Sequence, residues 1–132
     1  MSLGASSLPE IHYSQVADAI RQIRSEIRWR PGKDKAHLAK RIERGHLPPE
    51  TSLDEYYAII RLVLTHPEAV VYVFQFGEIF YPTVVALYEN QIWLVMFGMD
   101  GTMETAFPPD RPDTYFSSPK YHWIGSIQEI VI

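Results

Sequence analysis

The sequence predicts an α+β domain in which about three N-terminal helices pack on a four- to five-stranded antiparallel sheet. As far as Pro67, apolar residues recur at the three- and four-residue spacing of amphipathic helices. After Pro67 the segments are rich in β-branched and aromatic residues, and short turns separate them, as in antiparallel sheets. A run of helices followed by a run of strands is typical of this fold class.

The first two predicted helices differ in character. An apolar stripe predicts the first over residues 14–29, and the Pro31-Gly32 pair ends it. Asp34 is predicted to cap a second helix, short and very polar, that ends near Gly45. The stripe of the first helix consists of Val16, Ile20, Ile23 and Ile27.

A third helix is predicted from a pair of capping residues. Ser52 and Glu55 have the spacing of a capping box, and His66-Pro67 ends the pattern. The side chains predicted to form its buried side are Tyr56, Ile59, Ile60, Val63 and Leu64.

The second half of the chain contains five segments with strand character. Asp100-Gly101 predicts a tight hairpin between two of them, and Pro82 indicates an edge position or a bulge. A bulge is also expected near Gly125. Four prolines predict an extended loop over residues 108–119. The predicted strands cover residues 69–76, 79–88, 92–97, 102–107 and 121–132.

Composition limits the classes of function. The 132 residues fit one domain over residues 10–132 after a lead-in over residues 1–9, whose first three residues resemble a sequence added for expression. The chain has no cysteine, which excludes disulfides, thiolate metal sites and cysteine nucleophiles, and we expect a reducing, cytoplasmic setting. No apolar run approaches membrane-spanning length, so we expect no membrane partner. Glycine-rich phosphate loops and metal-ligand spacings are absent, so we expect neither a cofactor nor a metal.

Charge divides the chain into two parts. Residues 1–46 carry nine Lys/Arg against five Asp/Glu, a net charge of +4. Residues 47–132 carry three against eleven, a net charge of −8. Such an asymmetry indicates either a surface that binds a polyanion or helices whose cationic side chains are simply solvated.

The second helix contains the most informative polar pattern. His37, Lys40, Arg41 and Arg44 recur at helical spacing and are predicted to share one face. Cleavage of a phosphodiester needs a base that works near pH 7 and cations that balance charge on phosphate oxygens, and this set provides both. The alternative is a solvated helix face on which His37 has no role.

Three residues in the second half are further candidates. Thr105 is predicted to share a strand face with Met103 and Phe107, where its hydroxyl either binds a phosphate oxygen or is an ordinary strand residue. Tyr115 and His122 provide a second acid or stack on a base if the 108–119 loop folds over the sheet, and are structural otherwise.

The order of these motifs resembles the barnase/EndoU/colicin/RelE-like group of small ribonuclease toxins, particularly its phage- and toxin-associated branches. The resemblance covers roughly residues 34–108. The motifs that carry it are His37-Leu-Ala-Lys40-Arg41-Ile-Glu-Arg44-Gly45, Ser52-x-x-Glu55-Tyr56, His66-Pro67-Glu68, Val70-Val71-Tyr72, Ile92-Trp93-Leu94-Val95 and Thr105-Ala106-Phe107-Pro108.

The resemblance implies metal-independent cleavage of RNA in which the 2′-hydroxyl attacks the adjacent phosphate. It implies that His37 is the general acid or base, that Lys40 and Arg41 stabilise the phosphorane, and that Thr105 binds a phosphate oxygen. Arg44, Tyr115 and His122 are then candidates for substrate binding, and RNA and a cognate inhibitor protein are the expected partners. A non-catalytic relative, or a binding module that holds a protein or a small ligand, is the alternative from another functional class.

Overall fold

The computed structural model describes residues 10–131 and confirms the predicted α+β class. Three helices precede a five-stranded antiparallel sheet, and two short helices lie near its last strand. The predicted lead-in over residues 1–9 lies outside the described residues. The elements are α1 (Glu10–Ser25), α2 (Lys33–Glu43), α3 (Leu53–Leu64), β1 (Val70–Phe76), β2 (Ile79–Tyr88), β3 (Gln91–Phe97), β4 (Met103–Phe107), α4 (Pro112–Phe116), β5 (Tyr121–Ser126) and α5 (Ile127–Ile130).

Helix α1 is displaced toward the N-terminus relative to the prediction. It ends at Ser25, and the following residues run beside β4 instead of continuing the helix. The amide of Met103 donates to the carbonyl of Arg28 at 2.7 Å, and Arg28 bridges to Thr102. These contacts cover the open edge of the sheet and place Trp29 next to α2.

The ends of α2 and α3 test the predicted caps. Asp34 does not cap α2, because the helix begins at Lys33 and Gly32, at φ 80°, occupies the N-cap position. Asp34 lies in the first turn, where its carboxylate accepts from the Tyr57 hydroxyl at 2.8 Å. The capping box of Ser52 and Glu55 is confirmed, and all five residues predicted for the buried side of α3 are buried.

The sheet has the order β4-β3-β2-β1-β5, with every neighbouring pair antiparallel. The hairpin predicted at Asp100-Gly101 joins β3 to β4. Pro82 lies in a central strand, but the ladder between β2 and β3 begins only at Thr83. The proline therefore sits where β2 pairs with β1 alone, so its missing N–H costs no ladder bond on the β3 side.

The two faces of the sheet bury different partners. One face packs on the helices, with Trp93 and Val95 against side chains such as Ile20 and Ile60. The other face carries a smaller, largely aromatic cluster around Tyr121. Residues 108–119 cover that second face and contain the short helix α4, whereas the sequence predicted only an extended loop.

The end of the chain departs from the predicted strand over residues 121–132. Strand β5 stops at Ser126, where a capping box with Glu129 starts α5. The bulge expected near Gly125 is confirmed, because the register between β1 and β5 shifts between Val71 and Tyr72. Within residues 10–131, no helix combines the length and the apolar character needed to cross a bilayer.

Candidate functional site

His37 of α2 and Thr105 of β4 come from distant parts of the sequence and lie in contact. Thr105 Oγ1 is 3.3 Å from Nδ1 of His37. The Trp29 ring packs against the imidazole with a centroid separation of 5.0 Å. Side chains from two other segments therefore hold the imidazole, and Nε2 is the ring nitrogen left for a ligand.

Burial and neighbouring cations hold the pKa of His37 below its ordinary value. The half-buried imidazole loses hydration, which disfavours its charged form. Repulsion from Arg41, Lys40 and Lys33 adds to this effect, while the carboxylate of Glu104 opposes it. His37 is therefore a neutral imidazole near pH 7, which is the state that accepts a proton.

Arg41 is buried, with only 3% of the residue exposed. Its Cζ atom lies 5.1 Å from the centroid of the Phe107 ring, and Nη1 is 3.3 Å from Nδ1 of His46. Arg41 forms no ion pair with the described residues, its Nε has no hydrogen-bond partner among them, and burial lowers the pKa of its guanidinium. A buried cation without a carboxylate is costly, and such perturbed groups are concentrated at functional sites.

His46 links Arg41 to the segment after β4. A guanidinium only donates hydrogen bonds, so Nδ1 of His46 accepts and the proton of the neutral ring is on Nε2. Nε2 lies 3.9 Å from Oδ1 of the exposed Asp110. Burial is the largest cause that lowers the pKa of His46, and the charge of Arg41 is the next.

The sequence analysis assigned no role to His46, although Gly45 before it indicated that the chain folds back onto the helix. Gly45 ends the helix in the left-handed region at φ 75°, and the chain turns back so that the His46 amide donates to the Arg41 carbonyl at 2.8 Å. A glycine at this position commonly folds the next residue onto the last turn of the helix.

The cationic face predicted for α2 is divided between surface and interior. Lys40 and Arg44 are exposed, His37 is half-buried and Arg41 is buried. The alternative of a solvated face therefore fits Lys40 and Arg44 and does not fit Arg41. Lys40 is close enough to His37 to lower its pKa, and Arg44 is close enough to lower the pKa of Arg41 and of His46.

Thr105 and Met103 do not share a face, contrary to the prediction. The register of β3 with β4 shifts so that Met96 pairs with Thr105 and Phe97 with Met103, which leaves Glu104 as the extra residue. Met103 consequently packs in the core on the helix side, and Phe107 packs against the cluster on the other face. The bulge also brings Glu104 to Arg30, at 3.3 Å.

Tyr115 lies on the second face of the sheet, close to Phe107. The two rings meet edge to face at a centroid distance of 5.8 Å. The Tyr121 hydroxyl donates to the Tyr115 hydroxyl at 3.0 Å, which fixes the orientation of the Tyr115 side chain. Arg41 touches the same Phe107 ring, so Tyr115 adjoins the site formed by His37 and Thr105.

His122 lies elsewhere. It belongs to β5, at the opposite edge of the sheet from β4, and its Nε2 is 2.8 Å from Oε1 of Gln75. Four strand spacings separate the two edges, or roughly 19 Å. The structure therefore does not bring His122 together with the other candidates.

The described part of the chain contains no group of three or more His, Cys, Asp or Glu side chains that could hold a metal ion. The site thus offers a neutral imidazole, a hydroxyl, a buried cation and exposed cations. Comparison with protein-family models, with curated proteins and with solved structures gave no match to this chain.

Proposed function

We propose that this protein is a metal-independent endoribonuclease that uses the 2′-hydroxyl of RNA as its nucleophile. The observation that carries the proposal is the contact of the His37 imidazole with Thr105 beside Arg41, a buried cation that has no anionic partner among the described residues and helps to lower the pKa of His37. The site provides a base for the 2′-hydroxyl and positive charge for the phosphate, which are the two requirements of this reaction.

The reaction follows from the protonation state of the imidazole. Nε2 of His37 accepts the proton of the 2′-hydroxyl, and the 2′-oxygen forms a bond to phosphorus. The bond from phosphorus to the 5′-oxygen breaks, and the leaving oxygen takes a proton from water. The products are a 2′,3′-cyclic phosphate and a 5′-hydroxyl, and the imidazolium returns its proton to solvent.

The other residues have supporting roles. In the proposed reaction, Thr105 Oγ1 accepts a hydrogen bond from Nδ1–H of His37 and so fixes the tautomer that leaves Nε2 free. Its second role is the predicted contact with a phosphate oxygen. Arg41 lies too deep to touch the substrate directly, and its charge acts on the phosphorane across a poorly hydrated interior. The exposed Lys40 and Arg44 bind phosphates along the chain.

The proposal includes RNA and a cognate inhibitor protein as partners, and a cytoplasmic location that suits a chain without cysteine. A non-enzymatic binding module is the alternative if the chemistry fails.

The test is cleavage of total RNA and transfer RNA in EDTA by the wild-type protein and by His37→Ala. We expect the rate to fall by a factor of about 10² to 10⁴ in the variant, the usual contribution of a general base. His122→Ala is the matched control, because it removes an imidazole at the far edge of the sheet. Equal cleavage by His37→Ala would remove this residue from the mechanism, and no cleavage by folded wild-type protein would favour the binding module.

A further inference from the structure

A groove beside the site has the chemistry of a nucleobase site. It is open to solvent and has a volume of about 400 Å³, comparable with that of small-molecule sites. We call it the Tyr115 groove. The residues that line it are Phe107, Pro109, Asp110, Arg111, Thr114 and Tyr115.

We propose that the Tyr115 groove binds the base of the nucleotide adjacent to the phosphate at His37. This inference rests on the ribonuclease function proposed above and specifies which part of the RNA the protein binds beside the cleaved phosphate. The substrate is then single-stranded RNA, because a paired and stacked base cannot enter the groove.

The position of the groove follows from the geometry of β4. Thr105 and Phe107 are alternate residues on one face of the strand, in regular register with Met96 and Leu94. Two strand residues span roughly 7 Å, a step comparable with one nucleotide of an extended single strand. Thr105 contacts the imidazole and Phe107 lines the groove, so a strand of RNA that runs along β4 reaches both.

The lining residues suit a base better than a simple apolar ligand. Phe107 and Tyr115 provide aromatic surface, on which any base can stack because every base has a π face. Arg111 and Asp110 are exposed at the rim, where one donates to and the other accepts from the polar edge of a base. Arg111 forms no ion pair within residues 10–131, so its charge is available to the nucleotide.

Phe116 provides a matched control for Tyr115. It is the next residue of α4 and also packs in the aromatic cluster, with its ring stacked on Tyr72 at 4.8 Å. It lines a different groove, beside Val70 and Val85, and not the Tyr115 groove. Replacement of either ring by leucine disturbs the same short helix, but only one replacement changes the proposed base site.

The experiment uses 2′-O-methyl hexanucleotides labelled with fluorescein, which cannot be cleaved because the nucleophilic oxygen is methylated. Each position is made abasic in turn, and fluorescence anisotropy gives the dissociation constants. For wild-type protein we expect one position at which loss of the base weakens binding by roughly 5- to 100-fold, the usual value of one stacked base. Tyr115→Leu should abolish this difference and Phe116→Leu should retain it.

A second variant covers the possibility that Tyr115→Leu fails to fold. Thr114 is exposed and lines the groove, so Thr114→Trp fills the groove without disturbing the core and should also abolish the difference. Three results would overturn the proposal. They are an equal loss of affinity at every abasic position, an equal effect of Tyr115→Leu and Phe116→Leu on the abasic difference, and no binding of the oligonucleotide by wild-type protein. Cleavage of unmodified RNA is measured separately, so an active enzyme without an abasic penalty refutes the groove alone, and a penalty without cleavage refutes the chemistry alone.

Discussion

Replacement of Arg41 by methionine tests separately how the buried charge affects stability and how it affects cleavage. Methionine is unbranched, flexible and apolar, and it reaches about as far as Nε of arginine, so it fills most of the aliphatic part of the same space without a charge. Only 3% of the Arg41 residue is exposed, and its guanidinium pairs with no carboxylate among the described residues, so the folded state bears a desolvation penalty of several kcal/mol. Arg41→Met removes that penalty.

The variant also loses two favourable contacts. The guanidinium over Phe107 contributes about 2 kcal/mol when desolvated, and the hydrogen bond to His46 about 1 kcal/mol. The balance predicts a free energy of unfolding that rises by about 1 to 3 kcal/mol. For 132 residues, each kcal/mol raises Tm by about 4 °C.

The function should change in the opposite direction. The positive charge acts on the phosphate only at a distance, so its loss should lower cleavage by about 10-fold, less than the loss of a donor that touches the oxyanion. Arg41 is the first of the cations that lower the pKa of His37, so the acid limb of the pH–rate profile should move to higher pH in the variant. Thermal unfolding and single-turnover cleavage across pH 5 to 8 measure both effects.

Arg41→Ala is the control for packing, since it also removes the charge but leaves a cavity that costs about 2 to 4 kcal/mol. A decrease of more than about 1 kcal/mol in the free energy of unfolding of Arg41→Met would refute the reasoning, because it would mean that the folded protein stabilises the buried charge. An unchanged acid limb would show that Arg41 does not set the protonation of His37.

Three further predictions concern the same site. Thr105→Val removes the hydroxyl that orients His37, so single-turnover cleavage should fall by about 3- to 10-fold while Thr105→Ser retains most of it, and wild-type rates in the valine variant would contradict this role. Folding lowers the pKa of His37 and of His46, so the unfolded state binds more protons below about pH 6.5 and the free energy of unfolding should fall as pH decreases from 7.5 to 5. Denaturant midpoints across that range should change less in the double variant His37→Gln/His46→Gln, and an equal pH dependence would exclude these residues as its source. Removal of two phosphate contacts in Lys40→Gln/Arg44→Gln should reduce the slope of log K against log salt for single-stranded RNA by about 1.4, whereas an unaltered slope would place both cations outside the interface.

The parts of the fold with strong periodicity were predictable from the sequence. Every residue assigned to the buried side of α3 is buried, because one helix with a clear stripe and a capping box needs no information from elsewhere. The two short helices were not predicted. Pro112 occupies the first turn of α4, where proline is favourable, but four prolines in twelve residues also fit an extended loop.

The sequence near the end of the chain contained a helix-capping signal, but the alternating apolar residues led to the prediction of a strand. Ser126 and Glu129 have the same spacing as Ser52 and Glu55, and both pairs form capping boxes. The apolar residues that follow Ser126 fit a strand and a short helix about equally well, so periodicity alone does not decide between them.

The candidate site was predictable in its residue types and less so in its geometry. His37 and Thr105 were identified separately, and their contact depends on how α2 docks against β4, which no local pattern encodes. The burial of Arg41 has the same origin, since rotation of α2 on the sheet decides which residue of the polar set turns inward. Glu104 was missed as a neighbour of His37 because it is the extra residue of a bulge.

The position of Thr105 relative to His37 depends on backbone contacts of β4 more than on their own hydrogen bond. The buried Tyr56 hydroxyl of α3 donates to the Ala106 carbonyl at 2.8 Å, and the Met103 amide donates to the Arg28 carbonyl at 2.7 Å. These bonds attach the edge strand to α3 on one side of Thr105 and to the segment before α2 on the other. A side-chain contact of 3.3 Å between His37 and Thr105 adds little to that support, so Thr105→Val should alter the orientation of the imidazole while the strand stays in place. A strand fixed in this way holds catalytic geometry without depending on the catalytic groups themselves.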